Sequence, residues 1–125
     1  MGISVRQEGS ARIIELRGEF TLAGDVLAQP LDLSGQRLSD LGDTLRRLLE
    51  QGCRHIVLDL GQVTFLDSAG LGELIACRKR TLDKGGDILL LRPRGKVRDL
   101  LEMLHLTRVF RIFDEEGPAL ASFGA

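Results

Sequence analysis

The segment TFLDSAGLGELI, residues 64–75, places a carboxylate and a hydroxyl side by side where an apolar stretch ends. Asp67 and Ser68 could supply a nucleophile, a helix cap or a regulatory switch. Asp and Ser are both preferred N-cap residues, so capping accounts for one of the two. Gly70 and Gly72 would then lie in the first helical turn, where small residues let another surface approach the backbone. The pattern predicts a helix start that also has a binding role.

A nucleophilic role for Ser68 requires a base, and neither histidine is suitably placed. His55 precedes a predicted strand that runs away from it, and Ser68 follows the far end of that strand. His105 ends a later predicted helix. Ser68 also lacks the Gly-x-Ser-x-Gly context of hydrolases. A serine without a positioned base is a weak nucleophile, so we predict no acyl-transfer activity.

Other catalytic patterns are incomplete. Gly95-Lys96 lacks the earlier glycine and the following Ser or Thr of a phosphate loop, and Gly70-Leu71-Gly72 lacks the third glycine of a dinucleotide site. Cys53 and Cys77 have no metal-ligand spacing and are expected to be reduced and partly buried. The sequence therefore predicts a protein without enzymatic activity, cofactor or metal.

The composition is typical of one globular domain. The chain has 125 residues, 17 basic and 18 acidic side chains and a net charge of −1. This balance gives no electrostatic reason to expect direct binding to nucleic acid. No apolar run is long enough to span a membrane, and no signal peptide is evident. We expect a cytoplasmic protein that does not insert into membranes.

Hydrophobic periodicity gives the element order β-β-loop-α-β-α-β-α-β-α. The predicted strands are 3–7, 11–17, 55–60, 87–92 and 109–113, and the predicted helices are 38–52, 70–83, 96–106 and 115–123, with a loop over about 21–38. The first two strands form a hairpin, and strands 55–60 and 87–92 are parallel with a right-handed crossover. The fold class is therefore α/β, with a central mixed sheet of four to five strands flanked by helices.

Phosphorylation is a further role that the residues at 67 and 68 favour. Ser68 would stand exposed at a helix N-terminus, whose N–H groups tolerate a phosphate. The phosphate adds about −1.5 to −2 charges at neutral pH, beside the carboxylate of Asp67. The fold would survive this change, but a partner docked on the same surface would be repelled. Such a site would act as a switch.

The segment HIVLDLGQVTFLDSAGLGELI resembles the signature of STAS domains, especially that of bacterial anti-sigma factor antagonists. The matching positions are Asp59, Phe65, Leu66, Asp67, Ser68, Ala69, Gly70, Leu71 and Gly72. Gly18-Glu19-Phe20 resembles the end of the family's second strand, and residues 85–120 fit its second half in order and spacing. The resemblance covers nearly the whole chain, which we treat as one STAS domain over 1–125.

The resemblance implies a binding module that frees a sigma factor. The unphosphorylated domain would bind an anti-sigma factor that is also a serine kinase. The kinase would then phosphorylate Ser68 and break the complex, and a phosphatase would reset it. The expected partner-binding residues are Glu19, Thr21, Asp25, Asp67, Ser68, Ala69, Gly70 and Leu71.

Two features depart from the family pattern. Members often carry Asp where Thr21 stands, with Asp25 here a turn further on, and the segment between Thr21 and Leu38 is longer than expected. The loop lies beside Ser68 in the family fold, so its length could alter partner choice. The alternative is a STAS scaffold subunit of a stress-signalling assembly or of a lipid or anion transporter. A small enzyme is the third possibility.

Overall fold

The computed structural model describes residues 2–20 and 40–123, where two consecutive strands are followed by alternating helices and strands. In chain order the elements are β1 (Gly2–Glu8), β2 (Ala11–Phe20), α1 (Asp40–Glu50), β3 (His55–Leu66), α2 (Ser68–Asp83), β4 (Asp87–Leu91), α3 (Gly95–Met103), β5 (Arg111–Phe113) and α4 (Glu116–Ala121). A 3-10 turn, Leu106–Arg108, joins α3 to β5. The predicted element order is confirmed for these residues.

The five strands form one sheet in the order β1-β2-β3-β4-β5. The β1–β2 pair is an antiparallel hairpin, and every later pair is parallel. Each of the helices α1, α2 and α3 connects two neighbouring parallel strands in the same direction across the sheet. Right-handed crossovers therefore bring all three helices to one face. The prediction of an α/β fold with a mixed sheet is confirmed.

The two faces of the sheet bury different amounts of apolar surface. The larger cluster includes Ile56, Leu58 and Leu90 from the strands, packed with Leu45, Leu74 and Leu101 from the three helices. The smaller cluster contains Ile13, Val57, Leu89 and Leu91, covered by Ala119 of α4. Both faces of β4 and of the first half of β3 are thus covered, which explains why residues 56–60 and 88–91 are almost continuously apolar.

The end of α1 follows its sequence signal. Gly52 adopts a φ of 91°, which glycine reaches at low cost, and its N–H donates to the Leu49 carbonyl oxygen at 3.1 Å. Helix α1 begins at Asp40, and Ser39 lies outside the described residues. The predicted loop at about 21–38 also lies outside them.

The bounds of several elements differ from prediction. The predicted strand 55–60 continues to Leu66, because two register shifts against β2 keep Leu60, Val63 and Leu66 buried at intervals of three residues. Strict alternation of side chains could not do this. The predicted helix 96–106 ends at Met103, since His105 takes a left-handed φ of 59°. The last strand and helix are each shorter than predicted.

Candidate functional site

The site predicted around Ser68 lies at the carboxyl edge of the parallel strands. Strand β3 ends at Leu66 and helix α2 begins at Ser68, so Asp67 alone makes the turn between them. Open α/β sheets bind ligands and partners at this edge, where strand ends feed helix N-termini.

Asp67 is the N-cap of α2. Its backbone is extended (φ −89°, ψ 176°), and its carboxylate oxygen Oδ1 accepts a hydrogen bond from the Gly70 N–H at 2.6 Å. Its carbonyl oxygen accepts the first helical bond, from the Leu71 N–H at 2.9 Å. The charge-assisted bond from Gly70 to the carboxylate satisfies an N–H group that the helix itself leaves unpaired. The capping role predicted for this pair of residues thus belongs to Asp67.

Ser68 is the first residue of α2 and is exposed to solvent. Its hydroxyl makes no hydrogen bond with any residue that the structure describes. Ala69 and Gly72 are also exposed on the same helix. The outer side of the first turns of α2 therefore consists of small side chains around one hydroxyl.

Gly70 faces inward, against the expectation that it admits a second protein. A Cβ atom at this position would lie 2.3 Å from the Phe20 carbonyl oxygen and 3.0 Å from a methyl carbon of Leu66. The surface that approaches Gly70 is therefore the end of the chain's own strand β2. Gly72 differs, since a Cβ there would meet nothing within 4 Å. Leu71, the neighbour of Gly70, is buried in the larger core.

The other predicted partner-binding residues come from β2 and the segment after it. Glu19 is exposed and pairs in register with Phe65 of β3, next to the pair formed by Phe20 and Leu66. Because Phe20 contacts the first turn of α2, Glu19 lies on the same edge as Ser68. Thr21 and Asp25 lie outside the described residues, so their predicted roles stay predictions.

A buried ion pair near this edge was not predicted. The side chain of Asp59 is 6% exposed; its Oδ2 accepts a hydrogen bond from Arg92 at 2.8 Å, and its Oδ1 accepts one from the Gly61 N–H at 2.9 Å. The hydrogen bond to Asp59 raises the pKa of the Arg92 guanidinium. A carboxylate in the middle of an apolar strand was the available signal, because a buried charge requires a partner.

The two histidines lie away from Ser68. His55 begins β3 at the opposite edge of the sheet, where its Nδ1 is 3.0 Å from the Ser10 hydroxyl and its ring stacks on Phe123 with centroids 4.7 Å apart. His105 follows the C-terminal end of α3. The predicted position of His55 is confirmed, and neither histidine lies at the edge of the sheet where β3 ends and Ser68 begins α2.

The cysteines and carboxylates form no reactive cluster in the described residues. Cys53 and Cys77 are both buried and unpaired, and burial raises the pKa of the Cys77 thiol far above its usual range. The thiolate is the reactive form, so Cys77 is chemically quiet. Within residues 2–20 and 40–123, no group of His, Cys, Asp and Glu is arranged to hold a metal, and no helix is long and apolar enough to cross a membrane.

The mixed five-stranded sheet and the exposed serine at the start of α2 define a small α/β domain with one prominent surface. The chain belongs to the STAS domain family, which it matches over residues 29–119. It is 33% identical over 93 residues to an anti-sigma F factor antagonist of Paenibacillus polymyxa, an alignment that covers 70% of this chain and 80% of the relative.

Solved structures show the same fold at lower identity. An anti-sigma factor antagonist from Mycobacterium paratuberculosis superposes with a TM-score of 0.74 at 19% identity, covering 97% of this chain and 92% of that one. The phosphorylated form of SpoIIAA, a Bacillus cell fate determinant, superposes with a TM-score of 0.63 at 18% identity, covering 94% and 96%. The relatives are thus regulatory proteins, and the predicted family and fold are confirmed.

Proposed function

We propose that this protein is an anti-sigma factor antagonist switched by phosphorylation of Ser68. In its unphosphorylated form it binds an anti-sigma factor that has serine kinase activity, and this binding frees a sigma factor. Transfer of phosphate to Ser68 ends the binding, and a phosphatase restores it. The name of the Paenibacillus polymyxa relative supports the antagonist role.

The observation that supports this proposal most is that Asp67 and Ser68 have different roles at the start of α2. Asp67 caps α2 through the 2.6 Å bond to Gly70, while the Ser68 hydroxyl is exposed and bonded to no described residue. A kinase needs to reach the hydroxyl without unfolding the helix. This arrangement meets that requirement, because Ser68 can be modified while the cap stays in place.

A phosphate on Ser68 would change the charge of the surface more than its shape. The group adds about −1.5 to −2 charges, and the helix dipole and N–H groups at the start of α2 stabilise an anion there. Asp67 and the nearby Glu19 already place two carboxylates near Ser68. A partner whose surface fits the unmodified edge would have to bury the new charge without a counterion, which is costly.

The proposed partner surface keeps the residues predicted from the family resemblance. Its exposed or half-exposed members are Glu19, Asp67, Ser68 and Ala69. Gly70 and Leu71 lie beneath them and fix the position of the first turn against β2. Thr21 and Asp25 are proposed from the resemblance alone.

Binding by charge variants tests the switch. A serine kinase of the anti-sigma class that phosphorylates the wild-type chain is the binding partner, and calorimetry measures its Kd. Ser68→Ala should bind within about threefold of wild type, and Ser68→Asp should bind at least about tenfold more weakly, since an unpaired interfacial charge is destabilising. Thr107→Asp adds the same charge at an exposed position on the 3-10 turn and serves as the control.

Two results would count against this function. Equal affinities for Ser68→Ala and Ser68→Asp would show that charge at Ser68 does not control binding. Retrieval of a membrane transporter complex from the cell extract, without any anti-sigma kinase, would instead favour the alternative of a transporter-associated STAS subunit.

A further inference from the structure

Phe65 has an unusual environment for a large aromatic side chain. Phe20 and Phe110 are buried, Phe113 and Phe123 are half-buried, and Phe65 is 47% exposed. These are all five phenylalanines of the chain. An aromatic ring left in water beside a binding surface is a typical feature of interface anchors, because its burial by a partner releases much apolar surface.

The geometry of β3 explains this exposure. The last residue of β3 paired with β4 is Asp59, so the strand beyond it pairs only with β2. Beyond the second register shift, Phe65 and Leu66 pair regularly with Glu19 and Phe20, so their side chains alternate between the faces, and Leu66 points into the larger core. Phe65 must therefore point to the opposite face. The helix on that face, α4, packs on Val57, Leu89 and Leu91, which lie level with the first half of β3, before Asp59 ends its pairing with β4.

Two carboxylates flank Phe65, close to Ser68. Glu19 is its register partner on β2 and is exposed, and Asp67 lies two residues along the chain. No cation is paired with Glu19 or Asp67 among the residues the structure describes. A complementary surface would thus combine an apolar pocket with cationic side chains at its rim.

We propose that Phe65 is the apolar anchor of the partner interface and enters a pocket, rimmed by Lys or Arg, on the anti-sigma kinase. This proposal rests on the proposed function and adds to it a binding residue and the chemistry of the partner's pocket. With the ring seated three residues before Ser68, the kinase surface lies over the hydroxyl that it phosphorylates. The same closeness makes a phosphate on Ser68 effective in ending the contact.

Truncation of the ring tests the anchor directly. The Kd of Phe65→Ala for the purified kinase that phosphorylates the wild-type chain should rise at least about tenfold, the size expected for an interface hot spot. Met103→Ala is the matched control, because Met103 is 69% exposed at the far end of α3. Its Kd should stay within about twofold, as for most surface residues outside an interface. A Phe65→Ala Kd equal to that of Met103→Ala would overturn the proposal.

A tryptophan at the same position gives a second test that does not depend on the stability of the alanine variant. The chain contains no tryptophan, so Phe65→Trp introduces a single indole at the proposed anchor. On addition of the kinase, its emission should shift to shorter wavelength, after subtraction of the spectrum obtained with wild type. Met103→Trp should show no shift. Binding of Phe65→Trp without a spectral shift would show that the ring stays in water.

The binding experiments also separate this inference from the proposed function. If Ser68→Asp loses affinity while Phe65→Ala binds like wild type, the switch stands and the anchor is wrong. If no serine kinase of the anti-sigma class binds or phosphorylates the wild-type chain, the proposed function fails, and the anchor fails with it.

Discussion

Two strand-to-helix turns meet at the same edge of the sheet and are held in different ways. In the turn between β3 and α2, the side chain of Asp67 caps the helix and Gly70 packs against the Phe20 carbonyl oxygen. In the turn between β4 and α3, the N-cap residue is Arg94, whose side chain makes no capping bond. Arg92 in that turn adopts a left-handed φ of 55°.

The second turn is held by contacts distant in sequence. The Arg92 side chain pairs with Asp59, and the Arg92 N–H donates to the Phe113 carbonyl oxygen at 2.8 Å. The first turn is held almost entirely by its own residues and by β2. Of these two turns, only the first presents a hydroxyl at the start of a helix whose cap is already supplied. A serine that is modified to regulate binding requires this arrangement, in which one residue caps the helix and its neighbour carries the free hydroxyl.

The tight packing of the first turn should give the largest effect. Gly70→Ala should lower the free energy of unfolding by roughly 2–3 kcal/mol, because its new methyl group meets backbone and overpacking must be relieved by movement of β2 or α2. Gly72→Ala is the control two residues away. It should raise the free energy of unfolding by about 0.5–1 kcal/mol, since it has open space and improves helix propensity. Urea unfolding measures both, and equal effects would contradict the packing account.

Removal of the long-range support of the second turn should have the next largest effect. Asp59→Ala should cost about 2 kcal/mol, because Arg92 loses its partner and the Gly61 N–H loses its acceptor. The cost is below that of a fully buried pair, since the Arg92 side chain remains 32% exposed. The exposed Asp99 of α3 provides a control, and Asp99→Ala should be nearly neutral. A neutral Asp59→Ala would show that the ion pair does not hold the turn.

Within the first turn, the neighbours Asp67 and Ser68 should behave differently. Asp67→Ala should cost about 1 kcal/mol, the usual value of an N-cap. Ser68→Ala should change the free energy of unfolding by less than about 0.5 kcal/mol, as exposed substitutions usually do. Thermal unfolding of the two variants decides between them. If Ser68→Ala were the more destabilising, the claim that Asp67 caps α2 while Ser68 does not stabilise the fold would be wrong.

Because the N-cap residue of α3 makes no side-chain capping bond, adding one should raise the free energy of unfolding slightly. Arg94 has the extended backbone of an N-cap residue (φ −130°, ψ 157°), so a serine there can accept a hydrogen bond from the first turn of α3. Arg94→Ser should raise the free energy of unfolding by about 0.5–1 kcal/mol. Lys96→Ser, inside the same helix, should give no gain. A loss of stability in Arg94→Ser would indicate that the arginine supports the turn.

The elements that the sequence predicts well are those whose signals are local. The hairpin, the α1 stop at Gly52 and the cap at Asp67 each follow from residues next to the feature. The extension of β3 to Leu66 depends on pairing with β2 and on two register shifts, so no period within β3 reveals it.

The features of the candidate site also fall into those with local sequence signals and those that depend on long-range contacts. Exposure of Ser68 was predicted from its position at a helix start. The inward position of Gly70 and the Asp59–Arg92 pair were not predicted, because both depend on contacts between residues far apart in the chain. The exposure of Phe65 has the same origin, since it follows from where β4 ends beside β3.

The central claim is that Ser68 carries a switch without supporting the fold. Mass spectrometry of the wild-type chain after incubation with an anti-sigma kinase and ATP tests it most directly, combined with hydrogen exchange and partner binding of the product. The account predicts one phosphate, on Ser68, with unchanged amide protection in α2 and lost affinity for the kinase. Phosphate on another residue, unfolding of α2, or unchanged affinity of the phosphorylated protein would contradict it.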